Sequence, residues 1–248
     1  MFENIIEFKA NILFIEENKH NLPVPIKTNI PRWFKELNHS VHLQTIKGCM
    51  PFLDTLTSGY LLKMPVEYHV EHNVEHEGEM KTGMRSGVKK WPEDLSNIIN
   101  LNYDSDNQTH PIIQLGKCPF IEKNKNLPFH KILNPWSIKT PPGYSCLFLP
   151  PMNNTDDRFS IIPGIVDTDT FPGEINFPVI WNGDKYPNLK TTIELGTPYV
   201  QVIPFKRDSW KMKITELSTK KRRKNIFNQF KNVLYNYKKN FWSKKLWK

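Results

Sequence analysis

The sequence predicts a mainly β protein: an antiparallel β body with short helices, followed by a C-terminal amphipathic basic helix. Three observations carry that expectation. Short β-type runs alternate with turn residues through 136–205, helical periodicity is confined to the C-terminal tail, and charge and composition change abruptly near Ser218.

Residues 2–15 alternate loosely between polar and apolar at Ile5, Phe8, Ile12 and Phe14, which predicts a first strand. Pro23, Pro25 and Pro31 then punctuate a loop. Residues 31–37 read as one or two helical turns, because proline is tolerated at the first helical position. Residues 45–60, with Pro51 and Gly59, read as irregular. Residues 61–74 place Leu62, Met64, Val66, Tyr68 and Val70 at the two-residue period of a strand. Gly78, Gly83 and Gly87 predict turns before Trp91. In the second half, β-type runs cover 136–140, 144–149, 159–166, 175–180, 191–195 and 199–205. Between them stand Pro141-Pro142-Gly143, Pro150-Pro151, Pro172-Gly173, Asn182-Gly183-Asp184 and Gly196-Thr197-Pro198. Turn chemistry at every gap between short strands favours antiparallel connections.

The 248 residues suit one domain of ordinary size with an appendage, or two small ones. Fifteen Phe, eight Tyr and seven Trp exclude a disordered chain. No apolar run approaches the roughly 18–20 residues that a membrane span requires. Residues 1–6 include Glu3 and lack the positive-then-apolar order of a signal peptide. Cys49, Cys118 and Cys146 are odd in number and widely spaced, so they predict neither a disulfide framework nor a zinc knuckle. Together these features lead to the expectation of a soluble protein in a reducing compartment.

The formal net charge of +9 is unevenly distributed. Residues 219–248 hold eleven Lys or Arg and no Asp or Glu, whereas residues 1–218 hold 23 basic against 25 acidic residues. The expected organisation is therefore a body over 1–218, most regular over 136–205, and a basic tail over 219–248. Within the tail, Phe227, Phe230, Leu234, Tyr237 and Phe241 recur at spacings of three and four, the stripe of an amphipathic helix. Lys224, Lys231, Lys238 and Lys245 recur every seven residues beside it. Such a helix can dock its aromatic face on the body. It can also meet an acidic partner, an acidic membrane surface or, without sequence specificity, nucleic acid phosphates. The candidate partner-binding residues are Lys224, Lys231, Lys238, Phe227, Phe230 and Trp242.

Two constellations in the body could carry chemistry. His69, His72 and His76 lie among Glu71, Glu75 and Glu77, residue types that bind transition metals. On a strand, however, His72 and His76 share one face and His69 the other, which equally fits the polar face of a hairpin. Asp167 and Asp169, one residue apart before Pro172-Gly173, are candidate catalytic carboxylates. Such a pair can hold a cation, activate a water, or cap a turn. The sequence names no cofactor.

The order of elements over 136–205 resembles the deoxyuridine triphosphatase and deoxycytidine triphosphate deaminase family, whose fold is the β-clip. The resemblance rests on Pro142-Gly143-Tyr144, on Gly164-Ile165-Val166-Asp167 through Gly173-Glu174, and on Gly196-Thr197-Pro198-Tyr199-Val200-Gln201-Val202. It implies a β-clip-like body, self-association as a trimer, Asp167 at the water or deoxyribose position, and Phe171, Gln201 and Tyr144 as ligand-binding residues. The family's phosphate-binding Arg-Ser-Ser turn is replaced by Pro150-Pro151-Met152-Asn153-Asn154, and its glycine-rich C-terminal arm is absent, since Gly196 is the last glycine. Triphosphate hydrolysis requires donors for that charge.

A further resemblance spans most of the chain. Pro31-Arg32-Trp33-Phe34-Lys35, Gly48-Cys49-Met50-Pro51-Phe52, Asn134-Pro135-Trp136, Pro141-Pro142-Gly143-Tyr144 and Gln201-Val202-Ile203-Pro204-Phe205 resemble an uncharacterised family, a domain of unknown function, of tailed phages and bacteria. It implies a phage setting, in the host cytoplasm or the virion, and no established activity. Three functional readings follow: a ligand- or partner-binding module that does not hydrolyse nucleotides, a virion structural or assembly protein anchored by its basic tail, and a metal-dependent or nucleotide-acting enzyme using Asp167 and Asp169.

Overall fold

β-Branched and aromatic residues in alternation form strands wherever a turn residue allows the chain to reverse. In a computed structural model, which describes residues 4–40, 42–75, 80–85, 109–110, 112–125, 127, 129–153, 156–230 and 236–248, these runs build a mainly antiparallel β protein. The strands are β1 (Glu7–Lys9), β2 (Val24–Pro25), β3 (Tyr60–Lys63), β4 (Glu67–Asn73), β5 (Met80–Arg85), β6 (Thr109–His110) and β7 (Phe129–Ile132). They continue with β8 (Ser137–Lys139), β9 (Tyr144–Leu149), β10 (Phe159–Ile161), β11 (Gly164–Val166), β12 (Phe177–Trp181), β13 (Asn188–Ile193) and β14 (Pro198–Lys206). Among the described residues they form four sheets: β1-β8, β10-β12-β7-β6, β11-β9-β14-β3-β2 and β13-β4-β5.

The chain divides into two compact units, Met1–Val24 with Gly59–Lys206, and Pro25–Ser58 with Arg207–Lys248. In the first unit β14 is the spine of the largest sheet, pairing Val202 with Phe148 of β9 on one side and with Tyr60 of β3 on the other. The core is aromatic at its centre. Trp181 stacks on Tyr68 at 6.0 Å between ring centres, and Phe177 lies 5.4 Å from Phe148 and edge-on to Tyr199 at 5.7 Å. Buried Asn124 accepts the Trp181 backbone N–H at 2.7 Å, so this polar side chain enters the core with a partner. In the second unit Phe34 is buried and stacks on Phe52 at 5.8 Å, with Trp33 edge-on to Phe34 at 5.6 Å.

Several expected elements take a different form. The expected first strand is only Glu7–Lys9. Ile12–Glu17 is a helix, because the Asn11 side chain accepts the Leu13 N–H at 2.9 Å and caps it, while Phe14 turns into the core. The alternation over 61–74 is interrupted at 64–66, where Pro65 has no N–H to offer a ladder. Its halves, β3 and β4, belong to different sheets. Ile162-Pro163 likewise divides 159–166 into β10 and β11. Residues 45–60 contain a helix, Met50–Thr55, with Pro51 in its first turn. Gly83 lies within β5, while Gly78, Gly87 and Trp91 fall outside the described residues.

The boundary expected at Ser218 falls inside the second unit, and the physical reason is Asp54. Its carboxylate accepts the Trp242 indole N–H at 3.1 Å and the Lys245 ammonium at 2.6 Å, which joins the C-terminal segment to Pro25–Ser58. The helical part of the expected 219–248 tail also stops before its end. It occupies Thr219–Phe230 and Asn236–Asn240, and residues 242–248 are not helical.

Candidate functional site

The turn after β11 holds the two candidate carboxylates. The Thr170 and Phe171 N–H groups both donate to the Asp167 carbonyl, at 3.1 and 2.9 Å, which closes the turn. Asp167 Oδ1 accepts the Ser145 hydroxyl at 2.6 Å, and Asp169 Oδ2 accepts the Gly143 N–H at 2.8 Å. The Lys139 ammonium donates to the Asp169 carbonyl. Between the two acids Thr168 is fully buried, with its hydroxyl 2.7 Å from that of Thr140 and 3.3 Å from Cys146 Sγ. Each carboxylate thus fastens this turn to the 139–145 segment through its own partner. These are ties between segments distant in the chain, not the local side-chain bonds by which such a pair caps its own turn. Burial pushes the Cys146 thiol up to about 11, against the opposing pull of the Thr168 hydrogen bond, so it stays protonated and is a poor nucleophile. Asp169→Ala should lower stability by about 1 kcal/mol through the unpaired Gly143 N–H, and Asp169→Asn by less, as read from urea unfolding midpoints.

The residues named with Asp167 by the β-clip resemblance serve separate tasks. Gln201 is completely buried, and its Oε1 accepts the Met152 N–H at 3.0 Å, holding the proline-rich loop after β9. The Tyr144 hydroxyl accepts from Asn4 Nδ2 at 2.9 Å at the other end of β9. Phe171 is partly exposed beside Gly173.

The histidines of β4 are divided as a strand divides them. His72 lies on the buried face with Tyr68 and Val70, its ring 6.4 Å from that of Trp181, and its Nε2–H donates to the Tyr186 carbonyl at 2.9 Å. His69 lies on the opposite face, with Nδ1 2.7 Å from the Thr192 hydroxyl. The structure does not bring these two together, and His76 lies outside the described residues. Among the described residues no three His, Cys, Asp or Glu side chains gather as a metal site would require.

A cavity of about 170 Å³ lies between the loop after β9 and the start of β14, lined by Pro150, Asn153, Asp156, Asp157, Ser160 and Tyr199. Its acids are committed. Asp156 is paired with Arg158 at 2.8 Å, and Asp157 receives Lys185 at 2.6 Å and the Tyr186 hydroxyl at 2.7 Å, which hold its carboxyl below the usual range. Arg158 in turn donates to the Thr191 hydroxyl at 2.6 Å and the Thr192 carbonyl at 3.2 Å, so this charge network braces β13.

The second unit carries the strongest chemical signal. It holds 18 basic against 4 acidic residues, net +14, while the first unit holds 16 against 21, net −5. Ser218 begins the helix Thr219–Phe230, its carbonyl accepting the Arg222 N–H at 2.9 Å. Phe227 and Lys224 on that helix are exposed, as are Lys238, Tyr237 and Phe241 further on. The side chain of Phe230 and all of Lys231 lie outside the described residues. Trp242 is half-buried against Asp54, with the Lys245 ammonium 5.7 Å from its ring centre, so it anchors the C-terminal segment within the unit.

Sequence reasoning missed residues 207–218. They form neither helix nor ladder, every one of them is exposed, and Trp210, Met212 and Ile214 are 91%, 84% and 87% accessible. The signal was present as alternation of these three with Lys211 and Lys213, but in the sequence it resembles one more strand of the body.

No protein-family model matches the chain, and no curated protein matches it. The resemblances to the β-clip family and to the phage family therefore rest on the residues quoted for them.

Proposed function

We propose that this protein is a partner-binding module of a phage assembly, in which the second unit grips an acidic surface and the first unit is the body carried to it. One observation supports the reading above the others: +14 concentrated in Pro25–Ser58 and Arg207–Lys248, beside a first unit of −5. A charge contrast of this size raises encounter rates with an acidic partner and falls off over about a Debye length, roughly 10 Å at 0.1 M salt. The turn at Asp167 and Asp169 supports the same reading, because both carboxylates already accept hydrogen bonds that hold the fold.

Polyglutamate serves as a simple acidic probe. The full chain should bind it with an affinity that falls by about tenfold or more as salt rises from about 50 to 200 mM. Replacing Lys220, Lys221, Arg222 and Arg223 together by Glu should weaken binding by a further tenfold or more at low salt. These side chains are exposed, so the variant should fold normally. Equal affinity of the two proteins in fluorescence anisotropy would show that the tail is not the gripping element.

A further inference from the structure

We infer that the acidic surface is an anionic lipid bilayer, met by residues 207–227 and 236–248 lying on the headgroup layer. The inference rests on the reading of the second unit as the binding half. What it adds comes from the exposed apolar residues.

Residues 207–248 hold fourteen basic and two acidic residues, and large apolar side chains stand in solvent among them. Trp210, Met212 and Ile214 are almost fully exposed, and Phe227, Phe241 and Leu246 are each more than half exposed. On an extended backbone Trp210, Met212 and Ile214 share one face, and Lys211 and Lys213 share the other. A basic patch and inserted apolar side chains are the two signals that together hold a peripheral protein on an anionic membrane. Among the described residues no helix is long and apolar enough to cross a membrane, so the segment would lie on the surface.

Two other acidic partners account for less of this pattern. Nucleic acid would use the Lys and Arg residues on phosphates and could stack bases on Trp210 or Phe227, but the aliphatic Met212, Ile214 and Leu246 bury more apolar surface among acyl chains than against a phosphate backbone. A groove on an acidic protein reads one face of one element. Here the apolar side chains come from a stretch without helix or ladder, from the Thr219–Phe230 helix, and from the non-helical end of the chain. A fluid interface accepts apolar side chains from all of these while long lysines reach the headgroups.

The test is co-sedimentation of the full chain with vesicles of phosphatidylcholine alone, and with about a third phosphatidylglycerol added. Binding should be tenfold or more tighter to the anionic vesicles. Acyl chains brominated near the interface should quench tryptophan emission, and Trp210→Phe should remove a measurable part of that quenching. The triple variant Trp210→Ser, Met212→Ser, Ile214→Ser should bind anionic vesicles about tenfold or more weakly, yet retain polyglutamate binding, since no charge is removed. These residues make no core, so the variant tests binding and not folding.

Binding to polyglutamate without preference for anionic vesicles would overturn the lipid inference and leave the acidic-partner reading standing. Failure to bind either would overturn both. Vesicle binding unchanged in the triple variant, or duplex DNA binding more tightly than vesicles at equal charge concentration, would also overturn the lipid inference.

Discussion

Gly59→Ala should destabilise the first unit by about 2 kcal/mol or more, a large share of the margin of an ordinary domain. Gly59 has φ +82°, in the left-handed region where a side chain costs roughly 1 kcal/mol. The added Cβ would also lie 2.1 Å from the Val202 carbonyl oxygen and 3.1 Å from Ile203 Cγ1. The oxygen is backbone and cannot rotate away. Val202 is paired with Tyr60 on β3 and with Phe148 on β9, so relieving the clash would displace the spine of the largest sheet. Gly164→Ala is the matched control, because its Cβ would meet nothing within 4 Å. That variant should stay within about 0.5 kcal/mol of the parent. Urea unfolding of both decides the matter. A Gly59→Ala midpoint equal to that of Gly164→Ala would refute the close-approach account.

The second large effect is acid destabilisation through His130. This residue is buried on β7, edge-on to the Tyr68 ring at 6.4 Å. Burial, and then the nearby His110 charge, bring its pKa down to about 4. The fold therefore favours the neutral ring, whereas the unfolded chain takes up a proton near pH 6.5. Stability from this group is complete above about pH 6.5, declines as pH falls, and is exhausted below about pH 4. The separation of these two values corresponds to about 3 kcal/mol. His130→Gln removes the titrating group, so its unfolding free energy should fall by about that much less than the parent's between about pH 7 and pH 4. The comparison is between slopes, because other groups such as Asp157 also titrate with folding. Identical pH dependence in the two proteins would exclude His130 as the source.

Local patterns disclosed the antiparallel class, and they did so where turn chemistry is strongest. The run 144–149 is strand β9, bounded by the Pro141-Pro142-Gly143 and Pro150-Pro151 that predicted it, and 199–205 lies within β14. The division of His69 from His72 was equally legible, because a two-residue period requires it. The separation of β3 from β4 was not. In the sequence the apolar period continues from Leu62 to Val70 across Pro65, and the pairing of β3 with β14 and of β4 with β13 shows that the proline divides the run between two sheets. The helix at Ile12–Glu17 was hidden because Ile12 and Phe14, two residues apart, fit the strand period, whereas on the helix they point to opposite sides, Ile12 exposed and Phe14 buried.

The candidate site divides in the same way. Asp167 and Asp169 could be singled out from their spacing, but not assigned a role, because Ser145 and Gly143 reach them from more than twenty residues earlier in the chain. Residues 210–214 have the alternation of a core strand, and their exposure depends on whether another strand lies beside them. Net charge and its placement, by contrast, are properties of composition. They could be read without coordinates, as could turn positions and strand period, which depend on neighbours in sequence. Burial, sheet membership and hydrogen-bond partnership depend on residues far apart in the chain. Only the tertiary structure could decide that the acids of 167–169 fasten a turn, that Asp54 joins the tail to Pro25–Ser58, and that Trp210, Met212 and Ile214 face solvent.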